Sequence, residues 1–403
     1  MIKEILATEL VPGMYVEKLN GNWQDHPFWR SSFMLKSQKE INSILASGSK
    51  GVWINTAKGH DLPVEEPEPE PEPEPAPPKM PTKKIVSIKP KISIREEIAR
   101  ARQICESSKE AVSSMFREAR MGEAVNIEDA EPLVQEIAAS VWRNPHALIN
   151  VARLKTQDDY TYMHSVAVCA LMIALGKEMG MSKSEVAAVG MGGLVHDLGK
   201  ALMPIDVLNK PGKLTDTEFN IMKSHPEKGH GLLLEGSSAG SIALDITLHH
   251  HEKVNGLGYP HRLSGNGISS FARMGAICDV YDAITSIRPY KEGWDPALSV
   301  KRMANWEGHF DKKLFHSFVR SVGIYPVGSL VRLASDKLGI VVEPGKSKLL
   351  TPKVKVFFSL KLKQSIPVDI IDLAAATERD RIVGVEDAAD WGFRNLQEFW
   401  LED

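Results

Sequence analysis

The sequence predicts a multidomain, mainly α-helical protein with a small α+β module at its amino terminus and a small β-rich appendage at its carboxyl end. Two segments, 93–120 and 128–155, repeat apolar residues with the helical period, and further apolar helical stretches follow them. A run of alternating Glu and Pro at 65–78 cannot form a core, so it separates a first module from the rest. After Tyr325 the pattern changes to short β-rich runs.

The amino-terminal module is expected at residues 1–64. Apolar and polar residues alternate around VPGMYV and GVWIN, which is typical of strands, and a helix is predicted near Ser37–Ala46. Trp23, Phe28 and Trp29 would suit a ligand or partner surface, but core packing of these rings is the favoured interpretation.

The remaining segments follow from the same changes of pattern. With 403 residues and 43% hydrophobic content, the chain can form two or three domains with sizeable cores. The runs GIVVE and KVKVFF predict a small β-barrel-like tail. The predicted segments after the first module are a Glu/Pro-rich linker at 65–92, connecting helices at 93–139, a central helical domain at 140–325 and the β-rich appendage at 326–403.

Histidine and aspartate residues concentrate in the central domain. Eight of the 13 histidines lie between residues 164 and 261, and His196-Asp197 and His250-His251 form adjacent pairs. Imidazole and carboxylate are ligands of first-row divalent ions, and two ions about 3.5–4 Å apart can clamp the attacking and leaving oxygens of a phosphoryl displacement. The pattern therefore predicts a buried two-metal hydrolytic centre.

These polar residues lie in apolar surroundings. We expect His196 and Asp197 about 100° apart on one helix, so that adjacent ligands can bind one ion and bridge to the next. A single histidine on an apolar face is more often a satisfied core residue. Burying so many unpaired groups, however, would cost about 1–3 kcal/mol each, so a shared metal site is the better explanation. Three further histidines fit less well and are expected at the surface or behind the ligands: His230, His249 and His261.

Four segments, taken in order, resemble an HD-GYP domain over roughly residues 140 to 325. They are HDLGK at 196–200, His225, HHEKVNGLGYP at 250–260 and ARMGAICDVYDAITSIRPYK at 272–291. The RPY segment excludes most other HD hydrolases. The resemblance implies an HD-superfamily helical bundle and a phosphodiesterase that hydrolyses cyclic di-GMP to linear pGpG or GMP. The first module resembles the domain of unknown function, DUF3391-like, that often precedes HD-GYP domains.

The resemblance also implies a ligand set and substrate contacts. Asp197 would bridge two divalent ions, iron or manganese, with a metal-held hydroxide as nucleophile. Lys200 would join Asp197 in catalysis and bind substrate, by neutralising a phosphoryl oxygen or assisting the leaving oxygen. Asp282 would hold the substrate by hydrogen bonding, and Arg288 and Lys291 would hold phosphate. The implied metal ligands are His164, His196, Asp197, His225, His250, His251 and Asp279.

The signature loop and two departures from the family pattern complete the prediction. Within the loop residues Gly258, Tyr259 and Pro260, the tyrosine is expected to be a lid or a loop-packing residue, and Gly256 and Gly258 are expected to allow positive φ. Members with three metals place a glutamate where this chain has Tyr160, so a third ion is not expected. Asn255 replaces the aspartate of the loop, which removes a charge outside the ligand set.

Composition excludes several other classes. The net charge of −3 gives no bias toward nucleic acid. The three cysteines are too few for a disulfide framework and are expected to be free buried thiols. No run approaches the ~18 apolar residues that span a bilayer, and the amino terminus lacks a signal-peptide pattern, so a cytoplasmic protein is expected.

Two alternatives stay open beside cyclic di-GMP hydrolysis. The residues named above read metals and phosphates rather than bases, so 3′,3′-cyclic GMP-AMP is an alternative substrate. The other alternative is a weakly active binding or scaffold protein that recruits a diguanylate cyclase (GGDEF) partner. The oligomeric state, with a homodimer as one option, is not determined by the sequence.

Overall fold

This computed structural model of the protein describes residues 2–19, 32–46, 51–60, 94–154, 160–236, 238–286, 293–345, 349–375 and 380–401. The chain divides into two units, Met1–Ser87 and Ile88–Asp403. Helices dominate, with small antiparallel sheets toward both ends, so the predicted fold class is confirmed. The Glu/Pro-rich linker and the aromatic residues Trp23, Phe28 and Trp29 lie outside the described residues, and the finer segment boundaries stay predictions.

The described residues of the first unit form a four-stranded antiparallel sheet and one α-helix. Its elements are β1 (Ile2–Leu6), β2 (Tyr15–Leu19), β3 (Phe33–Met34), α1 (Gln38–Ala46) and β4 (Gly51–Asn55). The strand order is β1-β4-β2-β3. The alternation seen in the sequence buries Val52 and Ile54 of β4, where they meet Ile41 and Ile44 of α1 in one core.

Helices make up most of the second unit. In chain order they are α2 (Ile94–Met121), α3 (Glu131–Arg143), α4 (Pro145–Arg153), α5 (Tyr160–Glu178), α6 (Lys183–Val195), α7 (Ile205–Leu208), α8 (Asp216–Met222), α9 (His225–Glu235), α10 (Ser241–His249), α11 (Ser270–Thr285), α12 (Pro296–Ala304) and α13 (Lys312–Val322). α5 is central: it is buried on every face from residue 163 to 176 and packs against α6 and α11, while α10 packs against the same two helices. No helix among the described residues is long and apolar enough to cross a bilayer.

The segment 128–155, which has the helical period, contains two helices and not one. A 3-10 turn at Ile127–Ala130 leads into α3, and α4 follows as a separate helix after Asn144. Pro145 disfavours helical backbone at the residue before it, and Asn144 is extended with φ −152°. The Asn144 side chain accepts a hydrogen bond from the N–H of His146, so it caps the new helix. By contrast, α2 lies within one residue of the predicted 93–120 segment.

The carboxyl-terminal appendage is an open sheet rather than the barrel-like tail that was predicted. Its strands are β5 (Leu330–Leu333), β6 (Lys337–Glu343), β7 (Lys353–Ser359), β8 (Gln364–Asp372) and β9 (Ile382–Val385), followed by α14 (Glu398–Leu401). The order β8-β7-β6-β5-β9 leaves β8 and β9 as edges that do not pair with each other in the described residues. Closing a sheet into a barrel requires its two edge strands to pair, and among the described residues the four-residue β9 pairs with β5 and not with β8.

Candidate metal centre

Five helices bring the seven predicted metal ligands to one place. His164 lies on α5, His196 and Asp197 follow α6, His225 begins α9, His250 and His251 follow α10, and Asp279 lies on α11. They form two groups in which the ligand atoms of each group lie within 4.8 Å of one another. The first group is His164, His196 and Asp279; the second is Asp197, His225, His250 and His251.

The His196-Asp197 pair lies at the end of a helix and not within one, contrary to the expected placement. α6 ends at Val195, His196 is its last residue with helical backbone, and a 3-10 turn begins at Leu198. Gly199 lies in this turn, where a Cβ atom would stand 1.9 Å from the carbonyl oxygen of His225. The close approach requires glycine, and it brings the end of α6 against the start of α9.

Asp197 lies between the two groups, and its two carboxylate oxygens face different histidines. Oδ2 is 3.4 Å from Nε2 of His164 and 3.4 Å from Nε2 of His196. Oδ1 is 3.2 Å from Nε2 of His225 and 3.8 Å from Nε2 of His250. One carboxylate can therefore contribute an oxygen to each group, which is the geometry a bridging ligand needs.

Hydrogen bonds on the outer side orient four of the histidines. Nδ1 of His196 lies 2.8 Å from the carbonyl oxygen of Gly193, and Nδ1 of His225 lies 2.8 Å from that of Met222. Nδ1 of His250 lies 3.0 Å from the carbonyl oxygen of Thr247. A carbonyl oxygen can only accept, so Nδ1 carries the hydrogen in these three rings. The fourth ring, His164, places Nδ1 2.6 Å from a carboxylate oxygen of Asp282. Each neutral ring then presents an Nε2 lone pair to the centre.

The arrangement of lone pairs fits divalent cations. With both Nδ1 atoms protonated, the Nε2 lone pairs of His225 and His250 face each other at 3.3 Å. Nε2 of His196 and Oδ1 of Asp197 are buried and have no hydrogen-bond partner among the described residues. Buried acceptors that face one another repel unless a proton or a cation lies between them. Imidazole nitrogens together with carboxylate oxygens are the donors that first-row divalent ions accept.

The protonation states also fit metal binding. Burial lowers the pKa of His250 well below its ordinary value, and the neighbouring charges of His251 and His196 lower it further. Burial and His225 lower the pKa of His251 to about 3. Burial alone would raise the pKa of Asp197, but Lys200 and His196 bring it well below the usual range. Neutral imidazole and ionised carboxylate are the forms that bind metal, so little proton release is needed near neutral pH.

Exposure shows which side of the centre faces solvent. The His251 side chain is 23% exposed, against 10% for Asp279, whereas His225 and His250 are fully buried. Lys200 is 25% exposed, and its Nζ lies 2.5 Å from Oδ2 of Asp197. An incoming anion would therefore meet Lys200 and His251 first.

The predicted substrate-binding residues fall into two classes. Asp282 is buried on α11, where Oδ2 faces Nδ1 of His164 and Oδ1 accepts a hydrogen bond from Ser286 Oγ at 3.0 Å. The carboxylate thus contacts the outer side of a candidate ligand, and its predicted substrate contact stays a prediction. Arg288 and Lys291 lie outside the described residues.

The signature loop packs against His251. The Tyr259 ring stacks on the His251 ring with centroids 4.6 Å apart. Of the two loop glycines, Gly256 has positive φ, at 77°, and Gly258 does not. Gly258 is needed for close approach instead, since a Cβ atom would stand 2.4 Å from Cα of Glu252. The Tyr259-Pro260 peptide bond is cis.

Glu252, which the sequence interpretation did not single out, holds the exit of this loop. The residue is buried, and its two carboxylate oxygens accept hydrogen bonds from the N–H groups of His261 at 2.7 Å and Leu263 at 3.0 Å. Its position directly after the His250-His251 pair could have identified it, because a buried carboxylate needs hydrogen-bond donors. Tyr160 is the first residue of α5, and the expected lack of a third ion stays a prediction.

Comparison with known proteins covers nearly the whole chain. A model of the HD domain matches residues 133–314, and one described as a domain of unknown function (DUF3391) matches residues 2–130. A cyclic di-GMP phosphodiesterase of Pseudomonas aeruginosa is 50% identical over 402 residues, which cover 99% of this chain and 96% of that protein.

Two further relatives match over shorter stretches. A cyclic di-GMP phosphodiesterase response regulator of Xanthomonas campestris is 46% identical over 129 residues, 31% of this chain and 34% of that protein. A 3′3′-cGAMP-specific phosphodiesterase of Vibrio cholerae is 33% identical over 176 residues, 43% of this chain and 40% of that protein. The stretch shared with known phosphodiesterases thus varies from about a third of this chain to nearly all of it.

Proposed function

Since the chain belongs to the HD-GYP family of phosphodiesterases, we propose that it hydrolyses cyclic di-GMP at the centre around Asp197. The observation that carries the proposal is the position of this carboxylate, with one oxygen toward His164 and His196 and the other toward His225. A relative identical at half of its positions over nearly the full length, whose own function is cyclic di-GMP hydrolysis, supports the choice of substrate.

We assign one divalent ion to each ligand group, with Asp197 shared. His164, His196 and Asp279 would hold the first ion; His225, His250 and His251 would hold the second. When bound, two such ions supply positive charge to the phosphoryl oxygens and lower the pKa of water, so that a nucleophile forms near neutral pH. We propose iron or manganese, because a mixed imidazole and carboxylate set accepts both.

The residues of the chain would orient the metal ligands and neutralise charge on the substrate. The carbonyl oxygens behind His196, His225 and His250 fix each ring so that its Nε2 lone pair points inward. Lys200 already carries its ammonium to Asp197 and reaches the solvent side, so it can donate a hydrogen bond to a non-bridging phosphoryl oxygen as charge develops there. Alternatively, the ammonium would donate to the bridging oxygen that leaves phosphorus when the diester is cleaved.

The substrate would enter where His251 and Lys200 are exposed. The Tyr259 ring lies against His251 on this side, so it would exclude water from one wall of the site. We further propose that Arg288 and Lys291 hold the phosphates, because a planar guanidinium and an ammonium are both suited to that charge. The product would be linear pGpG, GMP or both in succession.

Two alternatives to this function stay open. The relative that acts on 3′3′-cGAMP is 33% identical over 176 residues, so cyclic GMP-AMP is a second candidate substrate. The other alternative is a scaffold function. In that scaffold alternative, a diguanylate cyclase would be recruited and turnover would be slow; a homodimer is compatible with either function.

The test is anaerobic turnover by protein reconstituted with Fe²⁺ or with Mn²⁺. Cyclic di-GMP and cyclic GMP-AMP are supplied in parallel, and linear and mononucleotide products are separated. We expect metal-dependent hydrolysis, faster with cyclic di-GMP, and its loss in His196→Ala. Metal-loaded wild-type protein that binds cyclic di-GMP without hydrolysing it would favour the scaffold function instead.

A further inference from the structure

A second histidine pair lies outside the seven candidate ligands. His249 is the last residue of α10, and His261 follows the signature loop. Nε2 of His249 lies 3.1 Å from Nδ1 of His261, and the ring centroids are 5.3 Å apart. We call His249 and His261 the outer pair. His261 is exposed and His249 is half-buried, so an ion could reach both nitrogens directly from solvent.

A carboxylate behind His249 fixes the orientation of its ring. Oδ1 of Asp245, one turn earlier on α10, lies 2.7 Å from Nδ1 of His249. The other oxygen of Asp245 accepts a hydrogen bond from Ser269 Oγ, so the carboxylate is itself held from the side of α11. Nδ1 of His249 is therefore the protonated nitrogen, and Nε2 presents a lone pair toward His261. A carboxylate hydrogen-bonded to the far nitrogen of a histidine is the usual support of a histidine that binds a metal.

The spacing of the two nitrogens fits one ion. Zinc–nitrogen bonds of about 2.0–2.1 Å in a tetrahedral site place two imidazole nitrogens about 3.3–3.4 Å apart. The outer pair needs to open by only a few tenths of an ångström from 3.1 Å. His261 must present Nδ1 without its hydrogen, and in a neutral ring that hydrogen can move to the exposed Nε2. Binding therefore removes one hydrogen bond and requires no net proton loss.

We propose that His249 and His261 bind a zinc-class divalent ion at a site separate from the catalytic centre. Water would complete the coordination. The ion would join the end of α10 to the exit of the signature loop.

The site would hold the loop that covers the catalytic centre. His249 directly precedes His250, and His261 directly follows Pro260. The N–H of His261 also donates to the buried carboxylate of Glu252. An ion on the outer pair would attach the exit of this loop to the end of α10, and would thereby favour the position in which Tyr259 stacks on His251.

The experiment is a Zn²⁺ titration of full-length protein already loaded with Mn²⁺, with a chromophoric chelator as competitor and Mn²⁺ release measured in the same samples. We expect Zn²⁺ uptake to exceed Mn²⁺ release by one Zn²⁺ per chain, because Zn²⁺ binds such sites more tightly than Mn²⁺ and also replaces it at the catalytic centre. The affinity for this additional Zn²⁺ should fall at least ~10-fold in His249→Ala and in His261→Ala, since losing a ligand costs no less than losing a group that hydrogen-bonds a ligand. His316→Ala, which removes an exposed histidine of α13, is the control and should bind as wild type does.

Equal Zn²⁺ affinity in all four proteins, or uptake matched by equal Mn²⁺ release, would overturn the proposal. Diffraction from Zn²⁺-soaked crystals, measured on both sides of the zinc edge, gives an independent answer, because the anomalous peak must lie between His249 and His261. Neither readout uses hydrolysis. The outer site can therefore fail while the proposed phosphodiesterase activity stands, and the reverse also holds.

Discussion

Nδ1 of His164 lies 2.6 Å from Oδ2 of Asp282, and both side chains are buried. On the other side of the ring, Nε2 of His164 faces Asp279 Oδ1 at 3.0 Å and Asp197 Oδ2 at 3.4 Å. A carboxylate in this position fixes the ring orientation and makes the imidazole a better donor to a cation. Asp282 therefore acts on the centre through His164.

Replacing Asp282 tests this relationship. Asp282→Asn keeps the shape but loses the charge, so we expect metal affinity or kcat to fall about 10- to 100-fold with KM nearly unchanged. Metal content and steady-state kinetics are the measurements. Ser286→Ala, which removes only the hydrogen bond to Oδ1, should have a smaller effect. A raised KM with full metal content would instead support the substrate contact predicted from the sequence.

The stack of Tyr259 on His251 predicts a difference between two substitutions. Tyr259→Phe keeps the ring, so kcat/KM should stay near that of the wild type. Tyr259→Ala removes an aromatic contact worth about 0.5–1.5 kcal/mol, which corresponds to a fall of about 2- to 10-fold in kcat/KM. Equal loss in both variants would show that the phenol hydroxyl matters and the stack does not.

The two loop glycines should respond differently to alanine. Gly258→Ala would force Cβ against the backbone of Glu252 and Lys253, so the loop must move away from the His250-His251 pair, and turnover should be lost. Gly256→Ala adds only the strain of positive φ, about 1–2 kcal/mol, and should lower the melting temperature while turnover is retained. Thermal unfolding and turnover of both variants check the prediction. It would be wrong if Gly256→Ala were the less active of the two.

Asp295 predicts a pH dependence of stability away from the metal centre. Burial raises the pKa of this carboxyl to about 6, although its oxygens accept from the N–H groups of Leu330, Leu298 and Ala297. In the unfolded chain an aspartate has a pKa of about 3.9. Between these two pKa values the carboxyl is protonated in the native state and ionised in the unfolded chain. Its contribution to stability is therefore full below about pH 4 and is lost as pH rises to about 6.

The protonation of Asp295 should contribute about 3 kcal/mol to the free energy of unfolding, from a difference of roughly two pKa units at 1.36 kcal/mol each. Denaturant unfolding of wild type and Asp295→Asn at pH 4, 5 and 6 measures it. The asparagine variant should lose less stability than the wild type over this range, although the lost bond to Leu330 N–H lowers its stability at every pH. Parallel curves for the two proteins would contradict the raised pKa.

The sequence predicted the main features of the fold because they depend on local patterns. Helical periodicity marked α2, and an apolar run marked the buried helix around His164. The break between α3 and α4 at Asn144 was predictable in principle, because a proline such as Pro145 disfavours helical backbone at the residue before it. The helical period of apolar residues continues on both sides, however, and does not show the break. Whether a short β-rich tail closes depends on pairing between its edge strands, which no local pattern contains.

The candidate site was predictable as a set of residues but not as a geometry. The family resemblance implied the seven candidate ligands that the structure brings together. The partner of Asp282 could not be read from the chain, because His164 lies 118 positions away. The outer pair was missed for the same reason: only the folded signature loop brings His261 back to His249.

The most direct test of the account is electron paramagnetic resonance of Mn²⁺-loaded wild type and Asp197→Ala, with metal content and cyclic di-GMP turnover determined on the same samples. The account predicts two Mn²⁺ per chain with an exchange-coupled signal and turnover in the wild type, and loss of coupling, metal and turnover together in the variant. Equal metal content and coupling in Asp197→Ala, or turnover without metal, would contradict it.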